Sequence, residues 1–491
     1  MKGADLIQVG NNVIIERAQT GGPGAVNLSP ERVYELGNYV GLATIFDIPD
    51  LTFGLDSLDA TCQFEAIIAG VTYTGRTTTG GITTTVASPD VHDTNGAFTQ
   101  FDVGTNAVIP GAGTAGATLT STILTVTDST HIILADDAET AITGAGTATY
   151  GGMVDGDSIN MAASLPLDIL DQIKQGVSAP NPFEVEGSAV VPYLTLESLS
   201  YSFGVKDNAK QTASLRGDSL FYNPAASSAY RQVAAGTGTG GQTVTLANTA
   251  YPYNGAVLDG TKYVLAARLA SGQRLFYGTD YTEVATGGGD AKSVVVTFVA
   301  PIPTTDHVIV IYASDVVASY PQDVATPVTN ITPAAIRGPS IEVFVAGTSL
   351  SDRWTSVQTV TLDWKVTLDQ DREFSNTQLV DQDFFVPDVA GTVVIKPRNY
   401  ADFYKKLAAT AGLATLNEVG GAVTTTPLTL AIVLHSPVDN TILKTLYVPD
   451  ARFTLPGFSG QVQQKLSMTF PWSSDTGVYT VYKGQMPGGP E

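Results

Sequence analysis

The residues best suited to chemistry sit in one short run. Gly217-Asp218-Ser219-Leu220 spells the nucleophile motif of a class of serine hydrolases. Those enzymes carry it near the start of the chain and need an Asp-x-x-His near the end to take the serine proton. The later histidines here are His307 and His435, and neither has an aspartate three residues before it. A serine hydroxyl without a base is a weak nucleophile, so the motif predicts no hydrolase. The overlapping Arg216-Gly217-Asp218 is an integrin-type tripeptide by spelling, and a turn between strands accounts for it. Gly236 to Gly241 is a glycine-rich loop without the lysine that a phosphate loop requires. His92, His131, His307 and His435 are scattered without ligand spacing. Asp369-Gln370-Asp371 lacks the glycine and closing glutamate of a calcium loop. No pair of carboxylates stands out as an acid–base couple. The expectation is a non-enzymatic protein with no catalytic residue, cofactor or metal.

Composition points the same way. A chain of 491 residues has room for two to four domains at about 100–200 residues each. Hydrophobic residues make up 43%, enough for sizeable cores, while charged residues are only 15%, against a typical ~25%. Gly, Thr, Ser and Ala fill the gap, which suits sheets that spend their faces on neighbours. The net charge of −22, from 47 acidic and 25 basic residues, argues against a protein that grips nucleic acid through Lys and Arg. It fits either plain solubility or a surface that repels DNA. Cys62 is the single cysteine, so no intrachain disulfide or Cys-rich metal site is expected. Met1 to Gly10 lacks the apolar core of a secretory signal, and no apolar run approaches the ~20 residues of a membrane span. A soluble protein made in a reducing cytoplasm is expected.

The elements that would position any site are mostly strands. Val360 to Leu368 alternates apolar residues with Thr, Asp and Lys, as a half-buried strand does. Leu199 to Val205 repeats the arrangement with Ser200 and Ser202 outside, and Val462, Leu466, Met468 and Phe470 make a third such face. These predict antiparallel sheets with one solvated face. Three helices are predicted. One opens at Ser29-Pro30-Glu31 and one at Pro166, with Leu167, Leu170 and Ile173 on one face. The third follows Asn399, with Tyr400, Phe403, Tyr404 and Leu407 at helical spacing.

The two halves share an order of elements. A helix at 166–176 leads into Val191-Pro192, a strand, and Gln211-Thr212-Ala213-Ser214; a helix at 399–411 leads into Val448-Pro449, a strand, and Gln464-Lys465-Leu466-Ser467. This predicts a tandem duplication. Ile48-Pro49-Asp50 resembles Val448-Pro449-Asp450 outside that order, as two strand starts built alike. Residues 72–155, rich in Gly, Thr and Ala, read as an inserted β domain. Residues 226–322, with Ser293–Phe298 and His307–Tyr312 as strands, read as an inserted, Ig-like β-sandwich.

Three segments carry a family resemblance: Tyr193-Leu194-Thr195-Leu196-Glu197-Ser198-Leu199-Ser200-Tyr201-Ser202-Phe203-Gly204-Val205, then Gln211 to Ser219, and Val448 to Gly460. They resemble the tail tube (major tail) proteins of long-tailed bacteriophages, over about half of the chain. The resemblance implies a mainly β fold with two tube-like sandwich or barrel domains, each with one short helix. The first, split, is 1–71 with 156–225, and the second is 323–491. It implies a virion protein, assembled in the host cytoplasm, whose sheets join into rings stacked around a channel for genome ejection. Six tube domains per ring would need three chains if each carries two, and six if each carries one. The implied partners are further copies of the chain, a tape measure protein and a sheath, with DNA passing unbound. Ser198, Ser200, Ser202, Thr359, Thr361 and Asp363 form the candidate lumen face, acidic and hydroxyl-bearing, and Val360–Leu368 is expected at a ring junction. Competing assignments are a sheath or baseplate part, or a β-rich surface-layer or wall protein.

Overall fold

The computed structural model describes residues 51–58, 62–69, 75–98, 106–162, 165–176, 183–223, 228–254, 261–314, 336–345, 353–371, 381–396, 427–454 and 467–489. A few single residues and 99–105 are excepted. It also describes the backbone of five strands within 4–46; within 169–189, 222–231 and 370–384 backbone alone is described. The fold is mainly β. Two compact units divide the chain: Met1–Ala60, Ala162–Thr441 and Tyr447–Tyr479 form the first, and Thr61–Met161, Ile442–Leu446 and Thr480–Glu491 the second.

Fourteen strands make the frame. The first seven are β1 (Ala4–Val9), β2 (Ala18–Pro23), β3 (Leu51–Ser57), β4 (Leu167–Gly176), β5 (Phe183–Gly204), β6 (Lys210–Gly217) and β7 (Phe221–Asn223). The next are β8 (Ile341–Val345), β9 (Val357–Lys365), β10 (Asp388–Ile395), β11 (Leu428–His435), β12 (Ile442–Phe453), β13 (Met468–Ser474) and β14 (Thr480–Lys483). In the first set β1 pairs β4, β4 pairs β5, β5 pairs β6 and β7, and β3 lies between β6 and β2. In the second set β8 pairs β11, β11 pairs β12, β12 pairs β13 and β14, and β10 lies between β13 and β9. The two pairing schemes are the same, strand for strand.

The match extends to irregularities. The slip between Ala18↔Ser57 and Thr20↔Asp56 recurs between Val357↔Ile395 and Thr359↔Val394. Thr195↔Arg216 and Leu196↔Leu215 recur as Arg452↔Ser473 and Phe453↔Trp472, at the same distance beyond the Val-Pro pair of each strand. Val191-Pro192 and Val448-Pro449 mark where the fifth strand of each set changes partners. Proline has no N–H to give a ladder, so it fits at that gap. The two sets are joined edge to edge, because β5 pairs β9 from Ser198↔Lys365 to Gly204↔Thr359.

Burial follows the alternation expected of these strands. Leu199, Tyr201 and Phe203 on β5 and Val360, Leu362 and Trp364 on β9 are buried, and so are Met468 and Phe470 on β13. Val462, Leu466 and the helix expected after Asn399 lie outside the described residues.

Two predicted helices are strands instead. Leu167–Gly176 is β4, flanked by β1 and β5. Leu167, Leu170 and Ile173 satisfy helical spacing, but ladders on both edges outweigh that weak local preference. Pro30–Val33 pairs Ala43–Phe46. A proline at the first position suits a strand as well as a helix, since the missing N–H costs nothing there. The Gln-x-x-Ser correspondence also shifts. The ladder makes Met468, not Gln464, the equivalent of Gln211.

Among the described residues the one α-helix is α1, Gln63–Ile68, in the second unit. It follows the third strand of the first set, and the helix expected after Asn399 follows the third strand of the second. Phe64, Ala66 and Ile68 are buried, and Glu65 makes a buried ion pair with Lys444. The same unit holds an eight-stranded antiparallel sheet between Arg76 and Tyr150, around Ile82, Val91, Ile109, Ile123, Ile132 and Leu134.

Between β7 and β8 the first unit carries a sandwich. One sheet holds Ser228–Ala235, His307–Ser314, Val264–Leu269 and Arg274–Leu275, and the other holds Thr243–Thr245, Ser293–Phe298 and Tyr281–Thr286. Val264, Val294, Val296, Phe298, Val308 and Tyr312 close its core. His307–Ser314 is buried on both faces, which explains its continuous apolar run.

Candidate channel face and its anchors

The joint between β5 and β9 brings all six candidate face residues together. Ser198 lies opposite Lys365, Ser200 opposite Asp363, Ser202 opposite Thr361 and Gly204 opposite Thr359. All six side chains lie on the solvent side of the alternation, with Ser202 and Asp363 exposed and the others half-buried. The hydroxyl surface continues across the neighbouring ladders through Thr212 and Ser214 on β6 and Thr392 on β10. Several hydroxyls are spent within it. Thr361 and Thr392 hydroxyls meet at 3.1 Å, Thr392 N–H donates to Thr361 Oγ1 at 3.0 Å, and Thr212 Oγ1 donates to Asp56 Oδ1 at 2.8 Å.

The face carries cations beside its acids. Lys210, Arg216 and Lys365 share it with Asp56, Asp363 and Asp388, since alternate residues on paired strands lie on one side. Lys210 Nζ sits 3.0 Å from Asp56 Oδ2, and Arg216 lies 4.0 Å from Glu197. This surface is hydroxyl-rich, with cations and acids set beside one another. The expected junction strand is also relocated. β9 has β5 on one edge and β10 on the other, so it lies inside the chain's own sheet.

The motif around Ser219 takes part in an anchor. Ser219 Oγ donates to Asp218 Oδ1 at 2.8 Å, and Arg274 Nη1 from the sandwich donates to Asp218 Oδ2 at 2.7 Å. Asp218 and Arg274 are buried. A second pair lies beside it, with Arg268 Nη2 and Nε donating to Asp168 Oδ2 at 2.7 and 3.0 Å. Asp168 also accepts the Tyr193 N–H at 3.2 Å, and the Arg274 guanidinium lies 5.1 Å from the Tyr193 ring centre. Tyr193 has φ +56°, a left-handed conformation that costs a non-glycine residue energy, and this bond helps hold it. Two buried Arg–Asp pairs thus fix the sandwich to the first strand set. Asp168, Arg268 and Arg274 carry no local motif; their partners are distant in sequence, so reading the chain alone misses them.

The histidines separate into different environments. His92 and His131 face each other across paired strands, ring centres 4.3 Å apart, and His131 Nδ1 lies 2.9 Å from Asp128 Oδ2. The Thr130 hydroxyl and N–H hold the Asp128 carboxyl well below its usual range. Burial lowers the His307 pKa. His435 Nδ1 lies 3.2 Å from the Asn440 carbonyl oxygen. Among the described residues no group of three or more His, Cys, Asp or Glu is placed to hold a metal ion. No helix there is long and apolar enough to cross a membrane. No protein-family model matches the chain, and no curated protein matches it.

Proposed function

We propose that the chain is a structural subunit of a tailed phage, a tail tube protein whose rings stack around a channel for DNA. The observation that carries the reading is the repeated seven-strand scheme, joined edge to edge through β5 and β9. A protein that builds a sheet by repeating one unit side by side can extend it through further copies. The joint also presents Ser198, Ser200, Ser202, Thr359, Thr361 and Asp363 on one surface, which we assign to the channel. Hydroxyls offer DNA no fixed charge, and the paired Lys210 and Asp56 leave little net field. On this reading the channel works by neutrality more than by repulsion, because phosphate capture needs uncompensated cations. The two tube-like domains, the ring of three chains and the sandwich's outward placement belong to the same proposal. Negative-stain microscopy of the purified protein tests it. Tubes or rings with a central channel are the expected result, and a protein seen only as solid particles or monomers at high concentration would sink the reading.

A further inference from the structure

We infer that His92 and His131, on the outer face of the eight-stranded sheet in the second unit, form a two-imidazole site for a borderline divalent cation such as Cu2+ or Zn2+. The inference concerns that unit alone and holds whether or not the chain builds tubes. In the sequence the two histidines share no spacing that a metal motif would show. The fold puts them directly opposite each other, on the paired strands Ser88–Asp93 and His131–Ala138. Their ring centres lie 4.3 Å apart, with the planes 23° from parallel.

Support, tautomer and charge suit the pair to a cation. The next residues on the two strands, Val91 and Ile132, are paired and fully buried in the core of the sheet, so the ladder holds both histidine backbones. His131 Nδ1 lies 3.0 and 2.9 Å from the two carboxylate oxygens of Asp128. An ionised carboxylate only accepts, so Nδ1 carries the proton and Nε2 of the neutral ring keeps a lone pair for an ion. The Thr130 N–H and hydroxyl fix Asp128 in turn, at 2.7 and 2.8 Å. A carboxylate on the far ring nitrogen is the support that metal-binding histidines commonly use. Asp90, two residues from His92 on the same strand, lies on the same side and adds negative charge beside that of Asp128. The His131 side chain is 36% exposed, which leaves an ion a way in. Nearly parallel rings do not aim two nitrogens at one point. Asp128 fixes the His131 ring, so the His92 ring turns about its Cβ–Cγ bond, a soft torsion, to complete the pair. Water fills the remaining positions. The pair falls short of a three-residue ligand set, so ligand type sets its selectivity: imidazole suits Cu, Zn and Ni, whereas Mg and Ca take oxygen.

Calorimetric titration of the full chain with Cu2+ tests the site, because Cu2+ binds such ligands most tightly among the first-row divalent ions. The expected result is one saturable Cu2+ per chain at this pair. Asp128→Asn should weaken it about 10–100-fold, and His92→Gln or His131→Gln should weaken it further. Mg2+ in excess should not displace it. Wild-type protein supplies a second measurement that does not depend on whether the variants fold. Electron paramagnetic resonance at one equivalent of Cu2+ should show coupling to two imidazole nitrogens. Coupling to one nitrogen or none would overturn the site. So would a Cu2+ affinity left unchanged by His92→Gln, or wild-type protein that shows no saturable binding.

Discussion

Asp218 shows how much a side chain's role depends on what reaches it from afar. In the sequence it stands inside two borrowed motifs, and in the fold it is a buried carboxylate bound by Arg274. Desolvating two charges is expensive, and the pair recovers that cost only while both members are present. Arg274→Ala should therefore lose about 3–5 kcal/mol of stability, with further loss from contact with the Tyr193 and Phe276 rings. The double variant Asp218→Leu with Arg274→Met should recover most of that loss, because apolar groups of similar volume avoid the buried unpaired charge. Urea unfolding of the three proteins measures it. A single variant as stable as wild type would mean that the pair does not anchor the sandwich.

At the scale of elements, β9 carries the clearest sequence pattern and a position that the pattern does not reveal. Alternation predicts a strand with Val360, Leu362 and Trp364 inward; whether that strand is central or at an edge depends on its neighbours. With β5 and β10 on its two sides, Leu362→Pro should break the frame itself, since proline removes a donor and crowds the ladder. The expected outcome is loss of soluble protein or of the strand signal in circular dichroism. A folded monomer that merely fails to assemble would put β9 back at an edge. Period-two patterns are local, so β5, β9 and β13 are legible in the chain. β4 is not, because Leu167, Leu170 and Ile173 fit a helix and only pairing with β1 and β5 decides otherwise. The six face residues are legible as outward positions. Their assembly on one surface is not, since it arises from the β5–β9 register, and the cations Lys210 and Arg216 come onto the face from β6.

At the scale of the whole molecule, repetition turns a single substitution into a property of an assembly. Asp363 is exposed on β9, opposite Ser200 and two residues from Lys365. With Asp56 and Asp388 it offsets three cations on the face, so Asp363→Lys removes one negative charge and adds a positive one beside Lys365. In a tube the change recurs in every chain of every ring, which makes a positive stripe along the channel. Each uncompensated lysine near the duplex can hold a phosphate and release counterions, an attraction that weakens steeply with salt. Folding and assembly should survive, because the side chain faces away from the apolar side of the strand. DNA delivery by phage carrying the variant should slow, most of all at low ionic strength, where the screening length exceeds ~10 Å. Asp363→Asn, which removes charge without reversing it, should give a smaller delay. Delivery timed at low and high salt measures the effect, and equal rates for Asp363→Lys and wild type at low salt would place this face outside the channel.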